Sequence, residues 1–231
     1  MMGLPGPHIL DTGKAVGIFA GDTSPLTQVT AVRDGADLSM MPDYYRGRTK
    51  VWEATISPFA GTEVVDQVIG MGGKLQQYEN VTYRTLDDLP AKPDFDIREM
   101  TSPEDRELWG KIANQGFFGG LVNEMTQQLG FIMANMPNTI RYMAFVDGKP
   151  AGTASSFHSD GCVGFGGGAV LPQFRGKGLH AAMIAHRLNV APADCDLAIL
   201  EATPGSTSQR NAERLGFRVA FTMLNFVLST I

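Results

Sequence analysis

The chain has 231 residues, 43% of them hydrophobic and 19% charged, with 19 Lys and Arg against 24 Asp and Glu for a net charge of −5. That length can bury one large core or two small ones, and the composition excludes a disordered chain or a continuous coiled coil. The acidic balance argues against binding nucleic acid by broad phosphate neutralisation, and two cysteines, Cys162 and Cys195, cannot build a disulfide framework or a four-cysteine zinc site.

In chain order, the first 85 residues contain Trp52–Pro58, WEATISP, and a strand-like run over 76–85. Residues 86–95, LDDLPAKPDF, carry two prolines and three acids without periodicity and read as a linker. Residues 96–100 then read as a strand. Ser102 reads as a helix N-cap with Glu104 and Asp105 in the first turn. Helix fills roughly 103–133, interrupted by Gly116, Phe117, Phe118, Gly119 and Gly120. Strands follow over 141–146 and 150–157 about the Asp147-Gly148 pair, a strong hairpin signal. A turn at 159–161 leads to a third strand, 162–171. Helix 177–190, strand 197–202, helix 206–215 and strand 218–228 complete the order β-α-α-β-β-β-α-β-α-β. The expected class is α/β (α+β), a mixed, largely antiparallel sheet with helices on both faces. The segment LEATP, 200–204, echoes WEATISP, and in each the proline precedes a glycine by 12 residues, which suggests a partial internal repeat.

The chemistry concentrates at 170–179, VLPQFRGKGL, between a strand and a helix. A helix start offers unpaired N–H groups and partial positive charge. Gly176 and Gly178 let a phosphate approach the backbone, and Arg175 and Lys177 add two cations. Two other glycine motifs fail. Gly164–Ala169 fits a dinucleotide pattern in letters, but Val170-Leu171-Pro172 follows it where a helix is required. Leu171 stands where a nucleotide P-loop needs its first glycine, and Gly178 where it needs Ser or Thr.

The signature Q/R-x-x-G-x-G/A, met by Gln173, Gly176 and Gly178, resembles that of the GNAT acyltransferase superfamily. The element order from residue 95 onward is similar to that fold. ATPGSTSQRNAERLGF, 202–217, resembles its later helix, which ends in Gly-Phe. The resemblance implies a GNAT N-acetyltransferase domain over 96–231, preceded by a degenerate partial GNAT-like domain over 1–85 as in some tandem members. It implies acetyl-CoA, or another acyl-CoA, as co-substrate and no metal. Backbone groups of Ala169, Val170 and Leu171 would pair with the pantetheine arm, and the same strand would aim an N–H at the thioester oxygen. Amides of Arg175, Gly176, Lys177, Gly178, Leu179 and His180 would hold the pyrophosphate, and Asn211 would lie near the pantetheine or sulfur.

Four residues before the glycine of Gly-Phe, many family members carry a tyrosine that protonates the departing thiolate; here the residue is Ala212. Ser208, Asn211 or a water could replace it. No carboxylate lies between Cys162 and Leu171, so Glu201 in the next strand is the nearest candidate base, with His158 and Thr203 behind it. Each also has a plain structural reading: Glu201 as a strand-end carboxylate, His158 as a solvated hairpin residue, Gly166–Gly168 as a bulge. The glycine- and phenylalanine-rich 116–120 segment suggests a mobile apolar wall on the acceptor side, or ordinary helix packing.

The expected function is acetyl-CoA-dependent N-acetyl transfer to a primary amine of a small molecule or peptide, by direct attack in a ternary complex. The alternatives are a non-catalytic acyl-CoA sensor, or an assembly protein that kept only the fold. With no apolar run near the ~18–20 residues of a membrane span and no signal-peptide pattern at its start, a cytoplasmic location is expected. No membrane or nucleic-acid partner is expected, and a homodimer is compatible with the sequence.

Overall fold

In a computed structural model, residues 8–230 other than 23 and 122 are described, and they divide into two compact units. The first runs to Asn80 and takes back the residues from Phe221 onward; the second is Val81–Ala220.

The first unit contains β1 (His8–Asp11), β2 (Val16–Phe19), β3 (Gln28–Thr30), α1 (Met41–Tyr45), β4 (Val51–Ile56), α2 (Thr62–Gly70) and the start of β5 (Lys74–Thr85). β1, β2 and β3 form an antiparallel meander, and β4 joins β3 in parallel. Alternation along β4 buries Trp52, Ala54 and Ile56, the period-two signature of a half-buried strand. Residues 224–229 pair antiparallel with β4, from Leu224 opposite Ile56 to Ser229 opposite Val51, and bring Phe226 and Leu228 into this core.

The second unit holds the end of β5, then β6 (Asp96–Glu99), α3 (Pro103–Phe118), α4 (Glu124–Asn135), β7 (Thr139–Val146), β8 (Lys149–Ser159), β9 (Cys162–Val170), α5 (Leu179–Asn189), β10 (Leu197–Ala202), α6 (Thr207–Arg214) and the start of β11 (Arg218–Ser229). Its strands lie in the order β5-β10-β9-β8-β7-β6. The pairs from β6 to β9 are antiparallel and β9–β10 is parallel.

Local chemistry sets these boundaries. Ser102 and Asp105 close a capping box at the start of α3: the Asp105 N–H donates to Ser102 Oγ, and the Ser102 N–H to Asp105 Oδ2, both at 3.1 Å. Gly119, in the left-handed region, ends that helix. Asp147-Gly148 and Asp160-Gly161 both have positive φ at each residue, as two-residue hairpin turns require.

The WEATISP and LEATP segments both fold as a strand followed by a helix and a further strand. The boundary differs from the expected one. Residues 86–95 belong to the second unit: the Leu86 N–H donates to Asp196 O at 3.0 Å and Asn189 Nδ2 to Pro90 O at 3.0 Å. The division falls within β5 instead, because that strand runs on past Asn80, where Thr82 Oγ1 donates to Leu200 O at 2.6 Å. β1–β3 and α1 are elements that the sequence did not mark.

Candidate active site

The site begins where β9 and β10 part. They pair from Cys162–Leu197 to Phe165–Leu200, and beyond that point both continue unpaired with one another, to Val170 and Ala202. On its other side β9 shifts register against β8: Thr153 faces Ala169, and Ser155 faces Gly166. The one extra residue forms a bulge at Gly167, whose φ is +59°. Side chains from three elements hold it. Thr153 Oγ1 donates to Gly167 O at 3.0 Å, Arg187 Nη1 donates to Gly166 O at 3.1 Å, and the Trp109 ring packs against it. A Cβ at Gly167 would stand 2.8 Å from that ring, so the bulge admits only glycine. Trp109 is itself fixed by its Nε1, which donates to Tyr142 O at 3.0 Å and Ala154 O at 3.2 Å.

After β9 the chain makes a short 3-10 turn, Pro172–Phe174, and enters α5 through Gly178. Gly176 and Gly178 have φ of +78° and +80°, and no atom of the described residues outside their chain neighbours lies within 4 Å of where a Cβ would project at either. Conformation therefore requires these glycines, and the space beside them is open. No side chain caps α5. Its first amides remain in the electropositive mouth of the helix.

A cavity of about 750 Å³ joins the two features. Of the residues singled out in the sequence, Ala169, Val170, Arg175, Gly176, Gly178, Leu179, His180, Ser208 and Asn211 line it. Leu171, Gln173, Lys177 and Glu201 do not. Leu171 is buried and its N–H donates to Ala151 O at 2.9 Å, so that amide is spent on β8. Gln173 and Lys177 are exposed, the latter with its Nζ 5.8 Å from the Phe174 ring. Glu201 is exposed on β10. Arg175 lines the cavity but is tethered: Nε donates to Val170 O at 3.1 Å and Nη2 to Gly116 O at 2.9 Å, pinning the loop to β9 and α3. Gly116, Phe117, Gly168, Phe174, Thr207 and Arg214 complete the lining, so among the described residues the wall carries cations and no carboxylate.

Residues 84–217, more than half of the chain, match the acetyltransferase (GNAT) family. The protein belongs to that family. Solved structures share the fold over both units. A GCN5-related N-acetyltransferase from Kribbella flavida is 18% identical, with 96% of this chain and 89% of that one covered at a TM-score of 0.70. A functionally unknown conserved protein from Staphylococcus epidermidis is 14% identical, covering 100% and 96% at 0.70. A tandem GNAT protein from the clavulanic acid biosynthesis pathway is 13% identical, covering 99% and 85% at 0.63. No functionally curated protein matches the sequence.

Family membership supports acyl transfer as the general chemistry of this GNAT chain. Ala212 is fully buried, in a cluster with Phe165, Leu200 and Phe217. One turn earlier on α6, Ser208 reaches the cavity wall. Asn211 Nδ2 lies 3.2 Å from His180 Nδ1, and Asn211 Oδ1 accepts from Arg214 Nη1 at 3.0 Å. Burial, aided by the nearby charge of Arg187, pushes the His180 imidazole down to about 4, so the ring is neutral at physiological pH. Among the described residues no group of three or more His, Cys, Asp and Glu side chains could hold a metal ion, and no helix is long and apolar enough to cross a membrane.

Proposed function

We propose that the protein transfers an acyl group from acetyl-CoA, or another acyl-CoA, to the primary amine of a small molecule or peptide by direct attack in a ternary complex. The observation that carries this reading is one cavity that combines an open strand edge at Gly168–Val170 with the uncapped, glycine-flanked start of α5. Acyl-CoA is a long ligand with an anionic diphosphate and an amide-bearing arm, and these residues fit both parts. The volume is in the range of small-molecule sites.

The acyl-CoA supplies an activated carbonyl; the chain's own residues bind and orient. Amides of the first turn of α5 hold the diphosphate, with Arg214 contributing charge. Along β9, successive residues offer their backbone groups to opposite sides. Leu171 faces β8, and Val170 therefore faces the open slot and pairs with the arm. The bulge keeps the slot open at the reacting end. Phe117, half-exposed at the end of α3, lines the cavity and forms part of an apolar wall for the acceptor. Ser208 and Asn211 act from inside the cavity. Glu201, outside its lining, serves as base only through intervening water. The reaction takes place in the cytoplasm, where acyl-CoA is supplied.

Titration calorimetry with CoA and acetyl-CoA on the wild type and Gly178→Glu, paired with thiol release over a panel of amines, tests this reading. Binding that the variant abolishes, together with amine-dependent release, supports it. Binding without release for any amine favours the sensor. Wild-type protein that binds neither ligand at millimolar concentration sinks the assignment.

A further inference from the structure

Two side chains of α5 meet at Gly168, in the wall of the cavity, and neither role is marked by a sequence motif. A Cβ on Gly168 would stand 3.3 Å from His180 Nε2 and 4.0 Å from Arg187 Nη2. Arg187 is 2% exposed. Its Nε donates to Met183 O at 3.0 Å and its Nη1 to Ser155 O and Gly166 O at 2.9 and 3.1 Å, and the guanidinium sits 4.5 Å from the Phe165 ring centre. Among the described residues no carboxylate pairs with it, and Nη2 forms no hydrogen bond. Burial lowers its pKa only to about 9, so the charge persists at neutral pH. A buried cation offset only by carbonyl dipoles and a ring face leaves positive potential at the bulge.

A relay fixes the proton on His180. Arg214 can only donate, so the amide of Asn211 turns its oxygen to Arg214 and its nitrogen to His180 Nδ1. Nδ1 therefore accepts, and the hydrogen of the neutral ring is on Nε2, the atom beside Gly168.

Resting on the acyl-CoA reading above, we infer that His180 and Arg187 seat the negative charge of the departing CoA sulfur. His180 Nε2–H donates a hydrogen bond to it, and Arg187, buried behind Gly168 and outside the cavity lining, adds positive potential through the wall. In the transfer the amine nitrogen bonds to the acyl carbon, the C–S bond breaks with its electron pair leaving on sulfur, and the amine proton passes to water. A neutral imidazole is suited to donate a hydrogen bond without surrendering its proton, and a fixed cation in a dry wall needs no reorganisation as charge develops. The pair does what Ala212 cannot. Asn211 and Arg214 are positioning residues, acting through His180.

The test is the thiol pKa of bound CoA, followed by the ultraviolet absorbance of the thiolate in a pH titration, for wild type, His180→Leu, His180→Gln and Arg187→Met, with CoA affinity measured alongside. The other charged or titratable groups in reach among the described residues are Arg175 from the loop, Arg214 from α6, His186 beside Arg187 on α5 and Tyr142 from β7 behind Arg187; none is altered in the series. The expected result is a wild-type thiol pKa at least about one unit below that of free CoA, a tenfold gain in thiolate at a given pH. Arg187→Met and His180→Leu return it toward the free value, and His180→Gln retains most of the shift. A bound thiol that titrates like free CoA in the wild type overturns the inference, as does a shift that His180→Leu leaves intact. If Arg187→Met loses the fold or CoA binding, the two His180 variants decide. Wild type that fails to bind CoA removes the acyltransferase reading itself, a distinguishable outcome.

Discussion

Each unit contains a parallel strand pair with a helix in its connection, and the two are finished in opposite ways. In the first unit β3 and β4 pair at Gln28–Glu53 and Val29–Ala54, and aromatic side chains fill the adjoining space. Tyr45 of α1 stacks on Trp52 with ring centres 4.7 Å apart, and its hydroxyl both donates to Ile18 O and accepts from the Ile18 N–H at 3.2 Å. Leu38 and Met41 close the remainder. In the second unit β9 and β10 diverge, three glycines stand at the bulge, and about 750 Å³ stays open. The matching carboxylates follow suit: burial raises the pKa of Glu53, while Glu201 is exposed. One frame becomes a core or a site according to whether large side chains or glycines occupy it.

The comparison can be broken most severely at the C-terminal residues that return to the first unit. Ending the chain after Ala220 removes Phe226 and Leu228, worth about 3–6 kcal/mol together, comparable with the whole stability of a small domain. The first unit should lose cooperative unfolding, and hydrogen exchange should show the β4 amides unprotected. Next, Trp52→Ala should cost about 3–5 kcal/mol in urea unfolding. Trp52→Phe should cost much less, because the buried indole N–H has no partner among the described residues and its removal offsets part of the lost packing.

The second unit should show a pH dependence from its open site. His180 has a folded pKa near 4 against 6.5 unfolded, so the unfolded state binds the extra proton between those values. Its contribution, up to about 3 kcal/mol, should be complete above pH 6.5 and decline as pH falls toward 4. His180→Gln should flatten that slope in unfolding measured from pH 4 to 7; burial depresses His186 as well, which leaves a residual slope of the same sign. Smaller effects belong to single turns. Gly178→Ala should lower stability by about 1–2 kcal/mol through its positive φ alone. Ser102→Ala should cost about 1 kcal/mol by opening the capping box of α3, a useful contrast with the uncapped α5.

What could be read from the sequence was what short-range chemistry encodes. Ser102 with Asp105, Asp147-Gly148 and the Gly176–Gly178 loop each specify their own backbone within a few residues, and the elements around them fall within a few residues of expectation. Asn211 carried a family position, but its work on the His180 tautomer needs α5 and α6 side by side. Arg187 carried no signal at all. A basic residue in the last turn of a helix ordinarily faces water, and only the packing of α5 against β8 and β9 buries it. Residues 86–95 looked like a linker because their prolines are local, whereas the bonds that hold them to Asp196 and Asn189 reach across the second unit. β1–β3 are too short, at three or four residues, for periodicity to show.

The return of residues 221–230 to β4 also sets an order of events during synthesis. Chains commonly fold from the N-terminal side as they emerge. Here the first unit cannot close its sheet until the whole second unit has been made, because the strand that pairs with β4 along Trp52, Ala54 and Ile56 is encoded after Ala220. The nascent first unit therefore presents an open strand edge, flanked by apolar side chains, for as long as the second takes to emerge.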